Sequence, residues 1–255
     1  MNTTKIEWAE KSVNILTGCT PISTGCRRCY AAGFGRRLKA EYLKRAPIVD
    51  TPQNRANPFA LRYWPEKFAE IAARKKPARI FMDSMSDWFH QDVPGDILRN
   101  LFTFMVRVSR HTYMILTKRP DRMYGYVLAN RGLFPDGVVP GHIWLGTTVE
   151  HQSVIGRVDV LREIPAKVQF VSCEPLLGPL ELDMRGLSWI IVGGERALGA
   201  RPMDINWARS LRDQAVREGI PFFFKKHSGC GEKEGQDQLD GCQWHQFPTV
   251  NGRVI

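Results

Sequence analysis

Three cysteines crowd into one short stretch, Cys19-x6-Cys26-x2-Cys29, with Gly18 and Gly25 directly before the first two. Thiolates are the usual ligands of iron–sulfur clusters, and each iron of a cubane takes one. Three thiolates leave the fourth iron without a protein ligand. It is then open to a bidentate small molecule, such as the amino and carboxylate groups of S-adenosylmethionine. The two glycines suit a loop that wraps closely round an inorganic core. Spacing alone leaves two other readings open. A structural zinc site needs a fourth ligand, which His90 or His111 supplies only by folding back. The three thiols could also be unligated neighbours.

The remaining cysteines stand apart. Cys173 ends an apolar run and is expected to face the interior or mouth of the fold, where a thiol can donate a hydrogen atom to a radical; a lone cysteine is otherwise a small buried residue. Cys230 and Cys242 lie in a polar tail with His227 and His245, a zinc-ligand quartet by type, although Cys-x11-Cys is not a finger spacing. Six thiols so unevenly spaced do not read as a disulfide framework.

The elements that must position these groups follow one rhythm. Short β-branched or aromatic runs end abruptly in polar residues, and amphipathic segments come next. The runs are 79–82, 112–116, 142–145, 168–171, 189–192 and 220–224, after a first strand near 13–16. Helical spacing appears in Phe68, Ile71 and Ala72, and in Ile97, Leu98, Leu101, Phe102 and Met105. It recurs in Val154, Val158 and Leu161, and in Trp207, Leu211 and Ala215 after a cap at Asn206. Strands alternating with helices imply parallel pairing through right-handed crossovers. The expected fold is α/β: one domain over 1–255, a partial or irregular (βα) barrel of about seven units, with an open doubly wound sheet as the alternative. Residues 18–30 form the cluster loop and 227–255 an irregular tail.

In such a barrel, polar residues at strand C-termini line the active-site mouth. Asp83, Ser86, Asp87, Lys118, Thr148, Glu150, Glu174 and Glu195 form that ring, and as a set they read as a polar cofactor pocket, with Ser84 beside Ser86 and Asp87 as a further acceptor for an amine. Asp87 and Glu150 are the first choices for an amine and for ribose hydroxyls. Lys118 and Cys173 are the candidate catalytic side chains.

Several stretches resemble one family in order and spacing: Asn14-x3-Gly-Cys-x6-Cys-x2-Cys-Tyr30, Asp83-Ser-Met-Ser-Asp-x-Phe-His90, Leu116-Thr-Lys-Arg-Pro120, Trp144-Leu-Gly-x3-Glu150, Ser172-Cys-Glu-Pro-Leu-Leu-Gly-Pro179 and Val192-Gly-Gly-Glu195 followed by Ala200-Arg-Pro-Met-Asp204. The chain resembles the phage-associated three-cysteine proteins, a family of unknown function grouped with the radical S-adenosylmethionine superfamily. That resemblance implies a 4Fe–4S cluster on Cys19, Cys26 and Cys29, S-adenosylmethionine cleaved to a 5′-deoxyadenosyl radical, and an electron donor such as a flavodoxin or ferredoxin. It also places Tyr30 and the mouth residues against the cofactor. Two features depart from the superfamily signature, Cys-x3-Cys-x2-Cys with an aromatic before the last cysteine. Here the first gap is six residues, and Arg28 holds the aromatic position with Tyr30 one place beyond Cys29. Gly193-Gly194-Glu195 also follows a late strand, where the superfamily's Gly-Gly-Glu follows an early one.

Thirty-six Lys and Arg against 26 Asp and Glu give a net charge of +10. Much of the excess falls at Arg27, Arg28, Arg36, Arg37, Lys39, Lys44 and Arg45. Such a field suits a polyanion, so a nucleic acid or nucleotide is the expected substrate, with Trp64, Trp88 and Tyr124 as candidate stacking residues. The competing class is a zinc-stabilised basic module that binds nucleic acid without catalysis. No apolar run reaches the roughly 20 residues of a membrane span, and the N-terminus lacks a signal-peptide pattern. A soluble cytoplasmic protein, with no membrane partner, is expected.

Overall fold

The computed structural model describes residues 2–231, 235–250 and 253–254. Its elements, in chain order, begin with β1 (Asn2–Thr3), β2 (Lys11–Val13) and β3 (Leu16–Thr17). Helices α1 (Tyr30–Arg37), α2 (Lys39–Tyr42) and α3 (Pro52–Ala56) follow, then β4 (Arg62–Tyr63) and α4 (Lys67–Ala73). The regular part runs β5 (Arg79–Met82), α5 (Gly95–Arg107), β6 (Thr112–Thr117), α6 (Pro120–Ala129), β7 (Ile143–Thr148), α7 (Arg157–Arg162) and β8 (Gln169–Cys173). It closes with β9 (Trp189–Val192), α8 (Ile205–Arg217) and β10 (Phe222–Phe224).

One sheet carries the order β1-β2-β5-β6-β7-β8-β9-β10. Only β1 is antiparallel; the other seven strands are parallel and curl into a half-barrel. Its last edge is covered by the tail. Phe224 donates its amide to the Trp244 carbonyl, and Phe223 pairs with His245 antiparallel. This satisfies an edge that would otherwise offer a free ladder.

Alternation along the strands sorts side chains to two faces. Phe81, Met114, Trp144, Phe170, Trp189, Ile191 and Phe223 fill the concave face with Trp8 from the N-terminal segment. The convex face packs Ile80, Ile115, Leu145, Val171 and Val192 against Leu98, Leu101 and Phe102 of α5, Leu161 of α7 and Leu211 of α8. The helical stripes expected on α5 and α8 are the buried faces, but α8 is capped by Asp204, whose carboxylate accepts from the Asn206 amide.

Two expectations about elements change. The β8–β9 connection, residues 174–188, holds no helix. Pro175 and Pro179 interrupt it, and it covers the convex face as extended chain through Leu176, Leu180, Leu182, Met184 and Leu187. The expected first strand breaks at Asn14. Its Oδ1 accepts from the Met85 amide and the Ser84 hydroxyl, while Asp83 Oδ1 accepts from the Leu16 amide at 2.9 Å. The chain therefore leaves the sheet after Val13, and β3 pairs with β4 instead.

The long irregular excursion between 44 and 62 folds round one side chain. Arg62, fully buried, donates to the carbonyls of Arg45, Asn54, Asn57 and Ala60. Arg62→Met keeps the bulk but leaves these carbonyls short of a donor, so stability should fall by at least about 2 kcal/mol in a urea titration. An unchanged midpoint would show the excursion is held by other contacts. Histidines give a pH signature. Burial pushes His111 and His142 below the ordinary imidazole range, each with a ring nitrogen on a backbone carbonyl, Ile71 and Met105 respectively. The unfolded chain binds protons near pH 6.5 that the folded one refuses. The urea midpoint should therefore drop between pH 7.5 and 5.5, and a His111→Asn, His142→Asn double variant should flatten that drop.

Candidate functional site

The loop from Gly18 to Cys29 crosses the C-terminal ends of the parallel strands and is anchored to several of them. Gly18 bridges Ser86 beyond β5. Beyond β6, Arg119 donates to the Thr20 carbonyl at 3.0 Å. Glu150, beyond β7, sits so close that a Cβ on Gly25 would lie 2.9 Å from its Oε1. Arg201, after β9, donates to the Thr24 carbonyl at 3.0 Å. Gly18 itself has φ +95°, and an added Cβ would meet the Ala60 carbonyl oxygen at 2.3 Å. Only glycine fits where the loop begins.

All three loop cysteines are free thiols, partly exposed. Burial, with the charge of Asp87, pushes the Cys19 thiol up to about 11, although Arg119 lies 3.6 Å from its sulfur and opposes the rise. Cys26 goes the other way. Burial works against its thiolate, but hydrogen bonds from Ile22 and Ser23 and the charge of Lys118 outweigh it and hold the thiol below its ordinary value. Cys29 packs against the group formed by Ala31, Tyr42, Trp64 and Met85.

Polar residues gather at this edge, and the acids Asp87, Glu150, Glu174 and Glu195 are each paired with a base of this chain, whereas buried Asp83 has none among the described residues and burial pushes its carboxyl well above the usual range. Asp87 accepts from Thr117 at 2.6 Å, the Phe89 and Lys118 amides, and Arg119 at 3.0 Å. Glu150 meets Arg157 at 3.0 Å. Glu174 meets Lys225 at 3.0 Å and accepts from Ser172. Glu195 is clasped by Arg201, with Arg28 at 3.9 Å. Burial disfavours ionised Glu150, yet Lys118, Ser23 and Arg157 hold its pKa below the usual carboxylate range. Thr148 is buried on the same face, its carbonyl held by Arg157. Ser84 links Ser12 to Asn14, and its carbonyl accepts from the Tyr30 hydroxyl at 2.6 Å. Three polar atoms at the ends of β5 and β7 are buried without a partner, Asp83 Oδ2, Ser86 Oγ and Glu150 Oε1. Arg119 and Arg201 lie within the motifs that carry the resemblance and Arg157 does not, but nothing local to any of the three marks a guanidinium that pairs across the mouth.

Cys173 ends β8 but is fully buried in the helix-side cluster. Phe170 and Ser172 face the concave side, so Cys173 falls on the other face and is packed in the helix-side core, where burial drives its thiol far up. That is the place of a packed core thiol, although it ends β8 next to Glu174. The zinc alternatives lack a fourth ligand. His90 spends one ring nitrogen on Thr20 and the other on the Asp92 amide. His111 sits at the opposite end of β6. In the tail, His227 holds the Gln238 carbonyl and His245 stacks on Phe223. Among the described residues, no three His, Cys, Asp or Glu side chains gather round a single-ion site. No described helix is long and apolar enough to cross a membrane. Trp64 and Trp88, expected as stacking residues, are buried, and Tyr124 packs on the convex-face core.

By residue type the donor set matches an iron–sulfur cluster with an open iron, although among the described residues the three sulfurs are not drawn together into a metal-holding group. Three free thiols share one glycine-pinned loop, cations stand beside two of them, and the unpartnered Ser86 and Glu150 oxygens lie where a polar ligand would meet the loop. Comparison with known structures places the fold beside an S-adenosylmethionine-binding protein. The chain resembles a double-mutant spore photoproduct lyase with bound AdoMet and dinucleoside spore photoproduct, at TM-score 0.50 and 15% identity, over 85% of this chain. This chain spans 63% of that protein's length, and the likeness is one of fold. Over residues 3–248 it matches the family described as "Protein of unknown function (DUF5131)", and it belongs to that family. No curated protein matches it.

Gly18→Ala tests the loop anchor. The strained backbone and the clash with Ala60 should cost about 1–3 kcal/mol. Freed from its buried, acid-flanked position, Cys19 should also react faster with iodoacetamide at pH 8, read by peptide mass. Wild-type stability together with wild-type alkylation would show that the loop tolerates a Cβ.

Proposed function

We propose that this protein is a radical S-adenosylmethionine enzyme in which Cys19, Cys26 and Cys29 hold a 4Fe–4S cluster at the mouth of the half-barrel. The observation that carries this reading is the placement of three free thiols on one loop over the C-terminal strand ends, beside buried polar atoms that lack partners. The fold likeness to an AdoMet-bound lyase supports it. When bound, such a cluster supplies one-electron cleavage of the sulfonium to give a 5′-deoxyadenosyl radical.

The chain's own residues supply binding and exclusion. Ser86 Oγ and Glu150 Oε1, like Asp83 Oδ2, have capacity left to accept from the cofactor's amine or hydroxyls. Asp87 has both oxygens engaged, so it serves by holding Arg119 against the loop. Lys118 lowers the Cys26 thiol and the Glu150 carboxyl together, which favours the anionic forms on both sides of the mouth. Tyr30, tied to the Ser84 carbonyl, closes the side next to Cys29. The packed aromatic floor of Trp144, Phe170 and Trp189 keeps water from entering from below. Electrons come from a small redox protein such as a flavodoxin or ferredoxin.

Protein reconstituted anaerobically should be brown, absorb near 400 nm and carry about four irons per chain. With dithionite and S-adenosylmethionine it should release 5′-deoxyadenosine, and Cys26→Ala should do neither. Colourless protein holding one zinc would overturn the reading; an iron-loaded protein that releases no deoxyadenosine would leave the cluster a role in electron transfer or structure. Glu150→Gln should keep its iron and lose at least tenfold in deoxyadenosine release.

A further inference from the structure

The mouth is not the only feature that the cluster loop leads into. Helix α1 starts at Tyr30, immediately after Cys29, and runs outward. Tyr30, Phe34 and Leu38 stand one turn apart on one face and are 50%, 43% and 45% exposed. Such side chains repeat at i and i+4 because they share a helix face. The Tyr30 and Phe34 rings meet edge-on at 6.4 Å between centroids, and the Arg37 guanidinium lies over the Phe34 ring at 4.2 Å. Scattered exposed apolar residues need no explanation, but an aromatic stripe over successive turns does.

Its surroundings are basic. Arg27, Arg28, Arg36, Arg37 and Lys39 are all exposed. Among the described residues, no carboxylate forms an ion pair with Arg27, Arg36, Arg37 or Lys39. The acids of the mouth do not oppose this field, since Asp87, Glu150, Glu174 and Glu195 are each matched by a cation.

We propose that this face of α1 binds single-stranded nucleic acid and leads it to the mouth. Exposed rings interleaved with unpaired guanidiniums are what a strand with free base faces requires: the rings stack, and the cations take the phosphates. A duplex hides its base faces from such a stripe. A lipid surface would accept the same apolar and basic groups, but it cannot follow them past Tyr30 into the concavity. The stripe ends at Cys29, so a strand laid along it brings its next base to the loop. That delivery to chemistry rests on the radical-enzyme reading; the binding surface does not.

The test is fluorescence anisotropy with a fluorescein-labelled 12-nucleotide single-stranded DNA, titrated over a salt series without iron or S-adenosylmethionine. Wild type should bind with a steep salt dependence. Arg36→Glu should weaken binding about tenfold and flatten the log–log salt slope by about one. Lys167→Glu makes the same charge change on an exposed residue before β8, at the far end of the barrel, and should stay within twofold. Phe34→Ala should lose roughly 5- to 100-fold with the slope unchanged. Phe34→Leu keeps the apolar bulk without a ring and should bind as weakly as Phe34→Ala. Urea midpoints confirm that each variant is folded. Equal losses in Arg36→Glu and Lys167→Glu, full binding by Phe34→Leu, or equal affinity for the matching duplex would overturn the proposal. So would binding to phosphatidylserine vesicles with none to the oligonucleotide. Because nothing here reads iron or deoxyadenosine, failure of the cluster assay leaves this result standing, and failure here leaves that assay standing.

Discussion

The ion pair between Asp87 and Arg119 ties together the parts of the molecule that matter for chemistry. Asp87 follows β5 and Arg119 follows β6, and their side chains meet at 3.0 Å with little exposure on either side. A buried carboxylate is costly unless paired and hydrogen-bonded, and removing one partner of such a pair costs about 3–5 kcal/mol. Asp87 meets that condition by accepting four donors, one from Thr117 at the end of β6. The same guanidinium then reaches Cys19 and both oxygens of Thr20. The sheet and the cysteine loop are thus coupled through one planar cation, whose several donors in fixed directions suit that task better than an ammonium would.

This pairing pattern also explains what the sequence could disclose. Local signals placed the strands to within a few residues, because β-branched and aromatic runs at 79–82 and 189–192 are short and sharply bounded. The buried stripe of α5 was legible for the same reason, since the apolar period of a helix needs no partner to be seen. The three cysteines and the polar strand ends were legible by residue type. Long-range pairings were not. Arg119 contacts Cys19 across a hundred residues and Arg201 reaches Thr24 across still more, and nothing in either segment points to its partner. Arg62 is a similar case: inside a Pro- and Asn-rich stretch it looks like solvated charge, yet it is the fully buried hub of that excursion.

Cys173 shows how fine the limit is. A strand's side chains alternate, so its face depends on parity within the strand. An apolar run buried on both faces carries no alternation in its residue types, and every residue of β8 is buried. Only the pairing with β7 and β9, with Phe170 in the concave cluster and Val171 in the convex one, fixes the parity. The β8–β9 connection failed for a different reason. Its leucines cover the sheet as a helix would, while its prolines forbid one, so the strand–helix rhythm is broken there.

The six-residue gap between Cys19 and Cys26 acquires a physical meaning from these contacts. The residues within it are gripped from opposite sides, Thr20 by Arg119 and Thr24 by Arg201, whose carboxylate partners Asp87 and Glu195 stand after β5 and β9. Between them Ser23 places its hydroxyl 3.6 Å from the Cys26 sulfur and begins the turn that carries Cys26. A three-residue gap has no room for two such clamps and a turn. The longer loop therefore exchanges brevity for fixation: its shape is set by ion pairs rooted in strands on both sides of the mouth. The same roots leave Arg28 and α1 turned outward, which is why the basic and aromatic surface begins where the cysteines end.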